Sequence, residues 1–352
     1  MAPVLLTGVG PSMARADTVD QEVASKGGKG EPAEGGLLGG WRKWVLAILF
    51  VGAVVLAALH WGDVKQFAKL VTHAQPLWLL AALGAQLATY VSLSGEWALV
   101  LRAGKCARSI WRLIPLAIVK LFVDNVVPTS GMSGHVVLVD RLAAIGVKRA
   151  VAVAAVILSI VAYYISYAVA ALCAAFLLWL HNDLSAIIAA GVGIFLCIAA
   201  AIPAGTLWLQ DKGRDAMPKF LRKSEHAKDF FELVGKAPSE LVRSRALISQ
   251  LTLLNGAVFV LDALTMQFCL LSLGMTAPFG AVFAAFMVAS IVMTLGPVPL
   301  GLGSFEGSSI AMLRLMGVPF EAALSATLLF RGFSLWLPLI GGMILARREM
   351  KH

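Results

Sequence analysis

Charge is scarce in this chain. Only 14% of its 352 residues are Asp, Glu, Lys or Arg, against 59% hydrophobic, and the mean hydropathy is +0.84. A water-soluble fold of this length has too little interior to hide so much apolar surface, so composition excludes a soluble globular protein and places the chain in a bilayer. Cysteine is sparse too. Cys106, Cys173, Cys197 and Cys269 show no C-x-x-C spacing, which argues against a disulfide framework or a zinc site. Catalytic motifs are missing: there is no H-E-x-x-H, G-x-S-x-G, Walker A or paired-carboxylate loop. The G-x-G inside "GLGSFEG" lacks a βαβ context and is no nucleotide fingerprint. No enzyme, no cofactor and no metal site are therefore expected, and no soluble segment is large enough for ATP-driven transport. The formal net charge of +9 comes without basic–aromatic interleaving. It reads as topology charge rather than as a nucleic-acid surface.

What is present is a series of apolar runs long enough for helices, not the short alternating segments of a β-barrel. About six qualify as full spans at the ~20 residues a bilayer requires: 44–61, 76–101, 150–180, 186–209, 246–274 and 320–346. Residues 1–40, rich in Gly, Ala and mixed charge, read as a disordered cytoplasmic leader. Residues 41–209 form an N-terminal transmembrane half and 246–352 a C-terminal one. The connecting 210–245 segment carries nine Lys/Arg against six Asp/Glu. Its Phe220, Leu221, Ala227, Phe230, Phe231 and Val234 recur at helical spacing, as in an amphipathic helix on the inner leaflet; a linker packed on other loops fits the same spacing. The basic clusters at Arg42–Lys43, Arg102–Arg112, Arg141–Arg149, 210–245 and the C-terminal "ARREMKH" all belong on one side. By the positive-inside rule that side is the cytoplasm. "HNDLS" and "GMTAP", on the other side, carry no Lys or Arg; Lys65 and Lys69 in 62–75 are a mild exception. The expectation is a multi-pass protein of a bacterial-type inner membrane with both termini cytoplasmic.

Two apolar segments are left over, 113–145 and 279–316. A full crossing by either would put a basic cluster on the wrong side, so each is expected to enter and return on one face. The first enters from the cytoplasm and the second from outside, as opposed re-entrant hairpins. Shifting the chain against itself by 171 residues sets Pro128 on Pro299, Leu142 on Leu313, Gly146 on Gly317 and Val147 on Val318. The fold class is therefore all-α: a polytopic helical membrane protein built as an inverted repeat, with a substrate path between the repeats. The bends, "VVPTSGMSGH" and "GPVPLGLGSFEGSS", combine Pro128 or Pro299, which end a helix, with Gly131 and Gly134, or Gly301 and Gly303, which let backbone approach a ligand. The N–H groups opening each returning helix make an anion site.

Ionisable residues at membrane depth are functional suspects. Glu306 follows the second bend, Arg331 is central in the last span and Asp262 is mid-span. Lys120 and Asp124 lie one turn apart in the first hairpin, where they can pair. Glu306 and Arg331 can pair across helices, either as a fixed ion pair or as one that opens to give Arg331 a phosphate partner. His135 sits beside Gly134, as a hydrogen-bonded neighbour or a proton relay. Tyr163, Tyr164 and Tyr167 place hydroxyls for interhelical hydrogen bonds.

"PVPLGLGSFEGSSIAMLRLMGVPFEAALSATLLFRGFSLWLPLIGG" resembles the C-terminal signature of the lysylphosphatidylglycerol synthase transmembrane region family, the flippase-like domain. The P-x-G-x-G-x-x-E segment falls on Pro299, Gly301, Gly303 and Glu306. The downstream positions fall on Gly317, Ala323, Leu328, Leu329, Arg331, Trp336, Pro338 and Gly341. A weaker N-terminal match uses Asn125, Pro128, Gly131, Gly134 and Arg141. The resemblance covers about residues 40–346. It implies movement of lipids between leaflets, with membrane lipids, anionic or phosphate-bearing, as partners. The soluble transferase half of the synthases has no counterpart here, so the lipid would come from a separate lipid-synthesis enzyme: a phospholipid, a polyprenyl-linked sugar or another isoprenoid lipid. Members often carry a second arginine in the span after the first hairpin. The corresponding position here is Ile160, which puts a symmetric two-arginine site in doubt. A proton- or ion-coupled transporter of a small solute and a non-catalytic scaffold for a lipid-synthesis enzyme remain as alternatives.

Overall fold

The computed structural model describes residues 74–126, 132–181, 183–212, 238–296 and 301–349. The expected first span at 44–61, the leader and most of the 210–245 segment lie outside them. Eleven helices follow in order among the described residues: α1 (Pro76–Ala103), α2 (Ile110–Val126), α3 (Met132–Ala144), α4 (Arg149–Leu180), α5 (Ala186–Lys212), α6 (Ser239–Val242), α7 (Arg245–Ser272), α8 (Phe279–Leu295), α9 (Ser304–Leu315), α10 (Phe320–Arg331) and α11 (Leu337–Glu349). A π-helical turn, Gly332–Trp336, joins the last two. Among the described residues, five segments are long and apolar enough to cross a membrane: Pro76–Ala103, Arg149–Leu180, Ala186–Trp208, Arg245–Ser272 and Phe320–Leu345. The chain is a multi-pass helical membrane protein.

Local chemistry sets the helix ends. Pro76 opens α1 from its first turn, where a missing N–H costs nothing. Ser244 caps α7, its Oγ accepting from Leu247 N at 3.4 Å. Pro278 and Pro319 are the N-caps of α8 and α10. The 32 residues of α4 extend about 48 Å at 1.5 Å per residue. Its Val151–Leu158 stretch is buried on every side, as an all-round apolar helix should be at the centre of a bundle. Large apolar side chains elsewhere point outward, among them Phe176, Trp179, Ile187, Leu253 and Ile340, which suits a lipid-facing surface.

The order of elements recurs. Arg245 follows Pro76 by 169 residues, Phe279 follows Ile110 by 169, Ser304 follows Met132 by 172 and Phe320 follows Arg149 by 171. Lengths recur with them: α1 and α7 are both 28 residues, α2 and α8 both 17, α3 and α9 are 13 and 12. The fourth member differs. It is unbroken in α4, whereas its counterpart is interrupted by the π turn directly after Arg331. Packing recurs as well: α2 lies along α11 and α8 along α4, each short helix against the long helix of the opposite half. The α2–α11 contact is close enough that a Cβ on Gly342 would stand 2.2 Å from Phe122 Cβ. Helices α1 and α7 run antiparallel along one another, because Gln75 N bonds Ser272 O, Gln86 reaches Asp262 and Asn255 reaches Glu96.

Candidate functional site

In the second half, α8 ends at Leu295 and α9 begins at Ser304. Two positive-φ glycines turn the chain between them, Gly301 at +61° and Gly303 at +83°. A Cβ on Gly301 would stand 2.1 Å from Met293 Cγ, so both backbone angle and space require glycine there. Gly303 is the N-cap of α9 and Glu306 its N3 residue. Glu306 reaches back, its Oε2 accepting from Gly303 N at 2.7 Å. This is one arm of a capping box, since Gly303 has no side chain to supply the other.

The other oxygen of the same carboxylate, Oε1, accepts from Arg331 Nε at 2.6 Å. Both side chains are largely shielded, 10% exposed for Arg331 and 17% for Glu306. The guanidinium lies over Phe305, 5.3 Å from the ring centroid. Phe305 in turn stacks on Phe330 and meets Phe286 edge-on. Arg331 thus rests on an aromatic floor that limits its hydration and strengthens its attraction to an anion. Ser309 and Thr327 join α9 to α10 by a 3.0 Å hydroxyl contact, which fixes the angle at which Arg331 meets Glu306.

The first half holds a related arrangement from different residues. Asp124, near the end of α2, accepts from Lys120 Nζ at 2.7 Å through Oδ2. Its Oδ1 accepts from Gly134 N, in the first turn of α3, at 3.0 Å. A Cβ on Gly134 would fall 2.2 Å from that Oδ1, so glycine here makes room for the carboxylate. His135 follows, half-buried. Arg141 is in the last turn of α3, about 10 Å along the helix from Gly134, and so stands apart from the bend. Pro128, Gly131 and Pro299 lie outside the described residues.

Between the halves runs a polar seam along α1 and α7. Gln86 Nε2 donates to Asp262 Oδ1 at 3.3 Å, and Asn255 Nδ2 donates to Glu96 Oε2 at 3.0 Å. Ser92 Oγ donates to Leu254 O between them. The arrangement is reciprocal: Asn255 follows Gln86 by 169 residues, and each amide serves a carboxyl on the other helix. Sequence reasoning picked out Asp262 but missed Glu96, Gln86 and Asn255. Glu96 satisfies the same criterion, a lone carboxyl inside an apolar span, and was legible on it. The π turn beside Arg331 left no sequence signal. Of the tyrosines, Tyr167 does bond across helices, to Thr294 Oγ1 on α8 at 3.1 Å, while Tyr163 meets Phe259 by its ring.

At each bend one carboxylate therefore holds both a cation and a helix-start N–H. Among the described residues no group of three or more His, Cys, Asp or Glu could hold a metal ion. A cavity of about 150 Å³ is lined by Leu177, His181, Asp183, Pro278 and Met316 at the ends of α4, α8 and α9. It is below the size of ordinary ligand pockets and is lined by none of Asp124, Gly134, Gly303, Glu306 and Arg331.

The chain is 24% identical over 334 residues to the UPF0104 membrane protein PH1989 of Pyrococcus horikoshii, an alignment covering 88% of this chain and 98% of that one. The model of the lysylphosphatidylglycerol synthase TM region matches residues 44–342, taking in the hairpins, the seam and Arg331 alike. On that match the chain belongs to the lysylphosphatidylglycerol synthase transmembrane region family.

Proposed function

We propose that the protein moves a polar-headed lipid between leaflets, with the headgroup read chiefly by the second half. One observation carries the reading: a single carboxylate, Glu306, holds both the Gly303 N–H at the start of α9 and the Arg331 guanidinium. Those two donors are the set that binds a phosphate, a helix N-terminus plus an arginine. Glu306 occupies the place of the anion in a closed state. A phosphate-bearing headgroup displaces it, and the freed carboxylate then faces an amine or water. Arg331 suits this exchange because a guanidinium is weakly hydrated and accepts either partner with similar geometry.

The two hairpins are read as re-entrant from opposite faces, and the halves as an inverted repeat, in an inner membrane with cytoplasmic termini. In support, α2, α3, α8 and α9 are only 12 to 17 residues long, at most about 26 Å against the ~30 Å of a bilayer core. The antiparallel course of α1 and α7 and the recurring element lengths favour inversion. A scaffold role for a separate lipid-synthesis enzyme is the second reading, favoured by the fact that both hairpin carboxylates are paired.

Purified protein in vesicles carrying a fluorescent phospholipid separates the two. Glu306→Gln and Arg331→Ala should each abolish transbilayer movement at unchanged protein yield. Wild-type rates in both variants would overturn the assignment.

A further inference from the structure

Glu96 is 1% exposed, and three elements present polar groups to it. From α7, Asn255 donates to Oε2 at 3.0 Å. From α4, Ser159 brings its hydroxyl alongside. From α2, which packs along α1, the cation is Lys120, and its Nζ is held at 2.7 Å by Asp124. The π turn, which also touches α1, carries no ionisable side chain. Asp262 lies two turns along α7 from Asn255 and is bonded to Gln86 instead. Among the described residues, Glu96 Oε1 and Ser159 Oγ each lack a hydrogen bond.

One cation on α2 therefore serves Asp124 directly, while Glu96 lies on the helix packed against it. With Lys120 engaged by Asp124, an ionised Glu96 would be a buried charge with only neutral donors, which is strongly unfavourable. A proton on Oε1 removes the charge and can be donated to Ser159 Oγ; in the ionised form the same hydroxyl donates to Oε1 instead, so Ser159 serves both states. Asp262 has a carboxyl of the same kind but no lysine beside it: the residue 169 positions after Lys120 is Ala289. Among the described residues, of these two carboxyls it is Glu96 whose helix packs against one carrying a lysine.

We propose that Glu96 is a proton-binding site: it is protonated while Lys120 is engaged by Asp124 and ionised when Lys120 is released. In the second state the O–H bond breaks, the proton passes to water, the electron pair stays on the carboxylate and Lys120 supplies the compensating charge. Release of Lys120 follows when an anionic headgroup displaces Asp124 from the Gly134 N–H and turns that carboxylate out toward water, where it no longer needs the lysine, so this coupling step rests on the lipid-transport reading, whereas the proton site does not.

The test uses the full chain in lipid nanodiscs and infrared difference spectra recorded across a pH titration. The carbonyl stretch of a protonated carboxyl should be present in the wild type and lost in Glu96→Gln, while Asp262→Asn removes a separate band. If every protonated-carboxyl band survives in E96Q, Glu96 is ionised and the proposal is wrong. Should E96Q fail to fold, Ser159→Ala gives the same reading, because loss of the acceptor shifts the Glu96 band; an unshifted spectrum overturns the assignment. In proteoliposomes, the ratio of lipid-movement rates with and without a proton gradient should exceed one in the wild type and fall to one in E96Q and Lys120→Met. An undiminished ratio in E96Q removes the coupling. Loss of the band in E96Q with no lipid movement by the wild type keeps the proton site and removes the lipid-transport reading.

Discussion

The two hairpins do one thing with different chemistry. In the first, the carboxylate sits on the helix that enters the bend, and its cation lies one turn earlier on the same helix. In the second, the carboxylate sits on the helix that leaves the bend, and its cation comes from the next helix, 25 residues on. The difference matters because a local Lys–Asp pair needs no tertiary structure to form. The Glu306–Arg331 pair exists only once α9 and α10 are packed. A lysine is a flexible point charge; an arginine clamped over Phe305 is a fixed fork. The first hairpin is therefore suited to lend or withdraw a charge, and the second to recognise a shaped anion.

The comparison breaks most sharply at the two cations. Arg331→Ala should abolish lipid movement, at least about a hundredfold, because it removes one of the two headgroup donors proposed in the second half and leaves Glu306 without its cation. Lys120→Ala should slow it only several-fold, because Asp124 keeps the Gly134 N–H as a partner. Equal losses from the two variants would mean that the halves share the work evenly.

The bends come next. Gly301→Ala meets both a left-handed φ and Met293, and should cost about 2–4 kcal/mol in thermal unfolding of the purified protein. Gly134→Ala meets only the Asp124 carboxylate, which can swing aside, and should cost about 1–3 kcal/mol. The reverse order would place the tighter bend in the first half.

The seam gives the smaller effects. Asn255→Leu strands the more deeply buried carboxyl, Glu96, and should lower stability by about 1–3 kcal/mol. Gln86→Leu should cost less, since Asp262 is less enclosed. Thermal midpoints in one detergent order the two. Finally, cysteines placed at Ser130 and Leu302 in a background lacking the native four should label from opposite sides. Labelling of both from the same side would contradict the opposed hairpins.

Much of this was legible without coordinates. The spans at 76–101, 150–180, 186–209 and 246–274 match α1, α4, α5 and α7 to within a few residues, because apolar runs of that length have one low-energy form in lipid. The short leftover segments became α2–α3 and α8–α9, and the shift that sets Pro128 on Pro299 anticipated the recurrence of whole elements. Both ion pairs were readable from the rarity of charge at depth. Other features needed the fold. Asn255 is 159 residues from Glu96, and only the antiparallel contact of α1 with α7 makes them neighbours. Asp124 as the partner of the Gly134 N–H depends on the angle between α2 and α3. The π turn after Arg331 is a response to packing, which no local propensity encodes. Arg141, matched through the family motif, falls at the far end of α3 because that motif spans a whole helix rather than one site.

The most direct measurement is the rate of transbilayer movement of a phosphate-bearing lipid in vesicles, compared among the wild type, Arg331→Ala and Arg331→Lys at matched protein incorporation. The account predicts movement by the wild type, none by the alanine variant, and only weak recovery with lysine, which keeps the charge but not the bidentate fork. Wild-type rates in Arg331→Ala would contradict it.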